Sequence, residues 1–285
     1  MKTMKSAKPW AAAVVLLLDL TFLLHARVVA EPADFRARVS EKLADEEITD
    51  ADLAAEISFG REVAAHILGR YQLDRDDKLN RYLNLVGRGV ALHSNRSGLD
   101  FRFAVLASST INAYAAPGGY IFVTRGAIAN MADEAELAAV LAHEIAHVDA
   151  RHIVREVKIK GEGGSAQAGL AHLIGAIGDP ARVAFKQAVD EALDILFKQG
   201  YSHRDEAEAD QNGLILLAVT GYDPGGLRRY LAKLEASGSA ELEIFNRTHP
   251  PFAERLAALD RAATETGLDK VTGPILKERF DEQSR

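Results

Sequence analysis

Apolar positions recur at the helical period along most of this chain, and one stretch changes to the two-residue rhythm of strands. Leu53, Ile57, Val63, Ile67 and Leu68, followed by Leu79, Tyr82, Leu83, Val86 and Val90, predict two packing helices within residues 50–92. Residues 101–107 alternate and then run apolar. Tyr120-Ile121-Phe122-Val123-Thr124 is aromatic and β-branched and follows Pro117-Gly118-Gly119, so a small sheet is expected here. Leu137, Val140, Leu141, Ile145 and Val148 then form an apolar helical stripe. Asp133 stands as its N-cap, Glu136 completes a capping box three residues on, and no Pro or Gly interrupts residues 133–157. Gly161, Gly163, Gly164, Ser165 and Gly169 make a polar stretch that is either a flap or a linker. Helices resume over residues 180–198, about 205–219, 224–236 and 250–264, each with an N-cap, N1-proline or amphipathic cue. The fold class this predicts is α+β and mostly helical, without internal repeats.

Composition narrows the setting. The chain has 285 residues and is 48% hydrophobic, enough for a substantial core. Lys2, Lys5 and Lys8 precede an apolar run over residues 10–24 that Asp19 interrupts, and Val28-Val29-Ala30 offers small residues for cleavage. Spanning a bilayer takes about 20 apolar residues. The run is shorter, so residues 1–30 read as a cleaved signal peptide rather than a retained anchor, and export to the periplasm follows. Loss of that segment leaves 30 Lys and Arg against 40 Asp and Glu, a formal charge of −10, which argues against nucleic acid as a partner. Cysteine is absent. That excludes a disulfide framework, a lipid-modified amino-terminal cysteine and thiolate chemistry.

The chemistry concentrates at His143-Glu144-Ile145-Ala146-His147. On a helix the two imidazoles lie one turn apart on one face and can share a cation, while Glu144 can take a proton from an activated water. A hydrolytic zinc takes three protein ligands and keeps a fourth position open, so a third ligand has to come from elsewhere. Glu206 is the best candidate. Asp210, four residues on, shares its helix face and can hydrogen-bond the outer nitrogen of a liganding histidine. Glu208 reads as a solvated acid at a helix start.

Together these residues resemble the HtpX and CAAX-prenyl-endopeptidase-like zinc metallopeptidases, and within them the exported, soluble BepA-like branch. The resemblance covers roughly residues 55–265. It rests on Asn112-Ala113-Tyr114-Ala115-Ala116-Pro117-Gly118-Gly119-Tyr120-Ile121-Phe122-Val123-Thr124-Arg125-Gly126, the histidine motif with Arg151-His152 after it, Glu206 and Asp210, and Thr248-His249-Pro250. It implies a zincin-like metallopeptidase domain over residues 51–265, between an extension at 31–50 and a carboxy-terminal tail at 266–285. His143, His147 and Glu206 would hold one Zn2+, Glu144 would be the base and Asp210 would stand behind a ligand. Residues 112–123 would wall the substrate cleft, with Asn112, Ala113, Gly118, Gly119, Tyr120 and Ile121 at an edge strand beside the histidine helix.

A free sheet edge accepts extended peptides through main-chain hydrogen bonds, so substrates would be unfolded or misfolded polypeptides. His249, Arg204 and Tyr201 are the candidates for an oxyanion donor or a fourth ligand. His152 reads as a packing residue. The family most often has arginine where this chain has His203, and only 35 residues follow Pro250, so the helical-repeat domain of some relatives is not expected here. The resemblance further suggests quality control of envelope proteins beside the outer-membrane assembly machinery. A chaperone-like binder of extended clients, with a closed or structural zinc site, is the alternative.

Overall fold

The computed structural model describes residues 49–157 and 179–284. The expected signal peptide, most of the extension at 31–50 and the glycine-rich stretch after the histidine helix lie outside the described residues. Helix α1 (Asp50–Arg70) starts at a complete Thr49/Asp52 capping box, and α2 (Asp77–Ala91) starts at Asp76, whose side chain accepts from Leu79 N–H. Strands β1 (Arg102–Leu106), β2 (Ala113–Ala116) and β3 (Tyr120–Thr124) form one sheet in the order β1-β3-β2, with β1 parallel and β2 antiparallel to β3. A short helix, α3 (Arg125–Ala129), leads into α4 (Glu134–Asp149), the histidine helix. Then come α5 (His152–Glu156), α6 (Asp179–Asp194) with a π turn at Ile195–Gln199, α7 (His203–Val219) and α8 (Gly226–Ser237). Helices α9 (Glu243–Thr248), α10 (Phe252–Thr266) and α11 (Lys277–Ser284) complete the described chain. The mostly helical α+β fold with a small sheet is as the sequence predicts.

Two apolar cores lie on the two faces of the sheet. Ala115 and Ile121, paired across β2 and β3, face one core together with Leu137, Leu141 and Ile145 of α4. Tyr114 and Phe122, the adjacent pair, face the other with Phe59, Val63 and Ile67 of α1 and Phe197. This is the alternation expected of strands covered on both sides. Every residue of α4 is buried, which explains why the helix is apolar almost all round.

Three features differ from the sequence reading. Tyr120–Thr124 is the middle strand rather than the edge. The edge beside α4 is β2, whose Ala-Tyr-Ala-Ala sequence carries little strand signal and which a Pro117–Gly119 turn folds back against β3. The histidine helix stops at Asp149 although neither Pro nor Gly follows. Arg151 takes a left-handed conformation (φ 58°, ψ 35°), costing roughly 1–2 kcal/mol for a residue with a Cβ. Its buried Nε donates to Glu56 Oε2 at 2.9 Å, and Arg96 donates to Glu56 Oε1 at 2.7 Å, so a buried ion cluster offsets the strain. Finally, the segment expected as a tail carries α11, whose Phe280 is buried in the first core and whose Arg279 pairs with buried Glu134.

Candidate metal centre

Helix α4 presents His143 and His147 on one face, with their Nε2 atoms 3.1 Å apart. Helix α7 lies close against it. At Gly213 an added Cβ would come within 3.0 Å of the His143 backbone, so glycine is what allows the two helix axes this approach. The buried face of α7 brings Glu206 and Asp210, one turn apart, to the imidazoles. Glu206 Oε2 lies 3.8 Å from His143 Nε2, and Oε1 lies 3.5 Å from His147 Nε2.

Glu206 is almost wholly buried, and neither carboxylate oxygen has a hydrogen-bond donor among the described residues. A buried carboxylate left in that state costs several kcal/mol. Arg255 comes to 3.7 Å of Oε2 but aims its fork elsewhere. Ligand atoms about 2.0–2.1 Å from a tetrahedral ion stand about 3.3 Å from one another. The three spacings observed bracket that figure, and two imidazoles with one carboxylate form a donor set that a divalent zinc-like cation accepts. His143, His147 and Glu206 therefore fit such an ion.

The surroundings divide the labour among like groups. Asp210 Oδ1 sits 2.9 Å from His143 Nδ1, and Arg255 clamps the same carboxylate through Nε (2.9 Å) and Nη2 (2.6 Å). Burial would raise the Asp210 pKa, but Arg255 and His143 outweigh it and hold the group well below the usual carboxylate range. Burial works to lower the His143 pKa, and Asp210 reverses this, so the net shift is upward. Burial lowers the His147 pKa well below its ordinary value. The Glu144 carboxyl is pushed up to about 7, chiefly by burial and secondarily by the charge of Glu206. The same side-chain carboxyl chemistry thus yields an ionised anchor at Asp210 and a proton-exchanging group at Glu144.

Other expected residues are split by the fold. Tyr201 stacks on His147 with ring centroids 4.0 Å apart, and its hydroxyl donates to Ala115 O at 3.4 Å. His249 offers a ligand atom within 4.8 Å of those of His143 and Glu206, its Nδ1 lying 3.1 Å from Phe245 O. Two cavities share Asn112, Ala113, Glu144 and His249 in their walls. Arg204 is not brought to the site. It lies two positions before Glu206, about 200° round the helix, and is exposed. Gly118, Gly119, Tyr120 and Ile121 are not brought there either. Gly118 packs on α1 and Gly119 on Leu99, Tyr120 lies against Arg102, and Ile121 is in the core of the middle strand.

Two neighbours of the site were not evident from the sequence. Arg255, buried 45 residues after Asp210, looks like any polar residue of an amphipathic helix until α10 is packed. His152, expected to be packing, places Nδ1 2.8 Å from His147 Nδ1. Its position soon after the motif was the available signal.

Sequence comparison relates the chain to known proteases. The chain is 32% identical over 161 residues to a putative beta-barrel assembly-enhancing protease of Vibrio cholerae, covering 56% of this chain and 33% of that protein. It is 30% identical over 214 residues to the beta-barrel assembly-enhancing protease of Escherichia coli (strain K12), covering 72% of this chain and 43% of that protein. It is 29% identical over 172 residues to the mitochondrial metalloendopeptidase OMA1 of Arabidopsis thaliana, covering 60% of this chain and 33% of that protein. The chain thus spans less than half the length of these curated relatives. The Peptidase family M48 model matches residues 77–263, which takes in the sheet, both site helices and Arg255. Because that match runs unbroken over more than half of the sequence, the chain belongs to peptidase family M48.

Proposed function

We propose that this chain is a zinc-dependent endopeptidase of the bacterial periplasm that cleaves unfolded or misassembled envelope proteins. The observation that carries the reading is the buried, donorless Glu206 carboxylate facing two imidazoles, with Glu144 beside them. When bound, zinc supplies Lewis-acid polarisation of a peptide carbonyl and an acidified water. Glu144, with its carboxyl raised to about 7 by burial, accepts the proton of the attacking water and returns it to the leaving amine. His143, His147 and Glu206 hold the ion, and Asp210 orients His143 from behind. Tyr201, stacked on His147, and His249, with a ligand atom near those of His143 and Glu206, would be the donors to the tetrahedral oxyanion, and His249 would be a further ligand in a closed resting state.

Strand β2 supports the choice of substrate. Its outer edge pairs with no strand among the described residues, and Asn112 and Ala113 line the same cavities as Glu144. An extended polypeptide added to that edge would be aligned by its main chain with little demand on side chains. Export is supported by the amino-terminal basic and apolar pattern, and no helix among the described residues is long and apolar enough to cross a membrane. The names of the bacterial relatives, proteases that enhance beta-barrel assembly, support a role near outer-membrane assembly.

The test uses purified, zinc-loaded protein and unfolded casein. Cleavage is expected, and a chelator stops it. Glu144→Gln retains zinc and loses roughly 10²–10⁴-fold in turnover. Full activity in Glu144→Gln refutes the assigned base. Casein left intact by the zinc-loaded protein favours the chaperone-like binder.

A further inference from the structure

Behind each imidazole of the centre stands a polar residue. Behind His143 it is Asp210. Behind His147 it is a second histidine, His152, fully buried and 2.8 Å away from Nδ1 to Nδ1. Helix geometry alone would not put it there, since five positions along an unbroken helix is about 140° round from His147. The left-handed turn at Arg151 ends α4 and returns His152 against it. The far nitrogen of His152, Nε2, has no hydrogen-bond partner among the described residues and faces two carboxylates at the start of α7: Asp205 Oδ1 at 3.6 Å and Glu208 Oε2 at 3.8 Å. Ser202 donates to the other Asp205 oxygen at 2.8 Å, which turns Oδ1 toward the ring.

The same trio could be read as a second cation site, because its ligand atoms lie within 4.8 Å of one another. Counting protons decides between the two. Two neutral imidazoles carry one N–H each. When His147 gives Nε2 to an ion, its proton sits on Nδ1 and must be donated to His152 Nδ1. The proton of His152 then sits on Nε2, toward Asp205 and Glu208, where negative charge favours it. A cation on His152 Nε2 would instead place protons on both Nδ1 atoms, opposed across 2.8 Å. Only the first arrangement is compatible with His147 as a ligand.

We propose that His152 is a positioning residue for the metal centre, accepting the Nδ1–H of His147 and anchored through its own Nε2–H by Asp205 and Glu208. The inference rests on the metal-centre reading above. It also gives α7 a threefold role: Glu206 as ligand, Asp210 behind His143, and Asp205 with Glu208 behind His152.

The test is zinc affinity, measured by competition with a chromophoric chelator, together with the absorption spectrum of the cobalt(II)-substituted protein, both without substrate. His152→Phe keeps a ring but loses the acceptor, and is expected to weaken zinc binding by roughly 10–100-fold and to shift the cobalt bands. His152→Asn places its amide oxygen near the position of Nδ1 and is expected to restore most of the affinity. Asp205→Asn combined with Glu208→Gln leaves the ring in place and is expected to weaken zinc severalfold, so the test stands even where His152→Phe does not fold. Wild-type affinity and spectrum in His152→Phe, or His152→Asn binding no better than His152→Phe, overturns the proposal, as does wild-type affinity in the double variant. Wild-type protein that binds zinc but leaves casein intact overturns the peptidase reading alone. Wild-type protein that takes up no zinc overturns both.

Discussion

Glu144, Glu206 and Asp210 are three carboxylates within one small volume, and their neighbours set them to three tasks. Asp210 has a guanidinium fork and an imidazole as partners and stays ionised. Glu144 has little but burial and holds its proton up to about pH 7. Glu206 has no donor and faces two imidazoles. Removing a buried charge that lacks a hydrogen-bond donor should stabilise the metal-free fold. Glu206→Gln is therefore expected to be about 1–3 kcal/mol more stable than the parent in chelator, by denaturant titration, while losing zinc affinity. Equal stability of the two metal-free proteins would show that Arg255 already compensates the charge. The spacing of His143, Glu144 and His147, and of Glu206 and Asp210, was legible because each group lies within one helix, where sequence distance fixes the face. Arg255 and His152 were not legible, since the packing of α10 and the Arg151 turn bring them in.

At the scale of elements, the metal centre is a consequence of how closely α7 lies against α4. Gly213 sets that distance, where an added Cβ would meet the backbone of His143 and Ala142. Gly213→Val should push α7 away from the His143 backbone and take Glu206 and Asp210 with it. A loss of zinc affinity of at least 10-fold is expected, with the far-UV circular dichroism unchanged. Unaltered affinity would mean that the helices separate by rotation rather than translation. The N-cap at Asp133 was legible from a short polar signal, whereas the caps Thr49, Asp76 and Ser202 were not singled out. The edge strand was misplaced for a physical reason. A strand of three alanines and one tyrosine has almost no propensity of its own, and it exists because the Pro117–Gly119 turn and the register with β3 leave it no alternative.

Over the molecule as a whole, the carboxy-terminal helix is tied to the start of α4 by one buried acid. Glu134 accepts from Arg279, Tyr222 and Tyr82. Burial would raise its pKa, but these donors outweigh it and the net shift is downward from 4.5. A depressed carboxyl contributes stability that is present above its unfolded value and is lost as pH falls through its folded value. The stability difference between the parent and Glu134→Gln should therefore be fully expressed at pH 6–8 and close progressively below about pH 4.5. A difference independent of pH would assign the effect to packing instead. That contribution was not visible in the sequence, where residues 266–285 read as a tail, because only tertiary contacts distinguish Phe280 and Arg279 from solvated residues.

Strand β3 has neighbours on both edges and an apolar core against each face. In deuterated buffer its amides should be among the last to exchange, at a rate that reports opening of the entire domain, whereas the outward amides of β2 should exchange by local fraying. The segment suited to receiving an extended chain would then be one that loosens without cost to its neighbours. A guest could be gripped and released while the frame that aligns the chemistry remains closed.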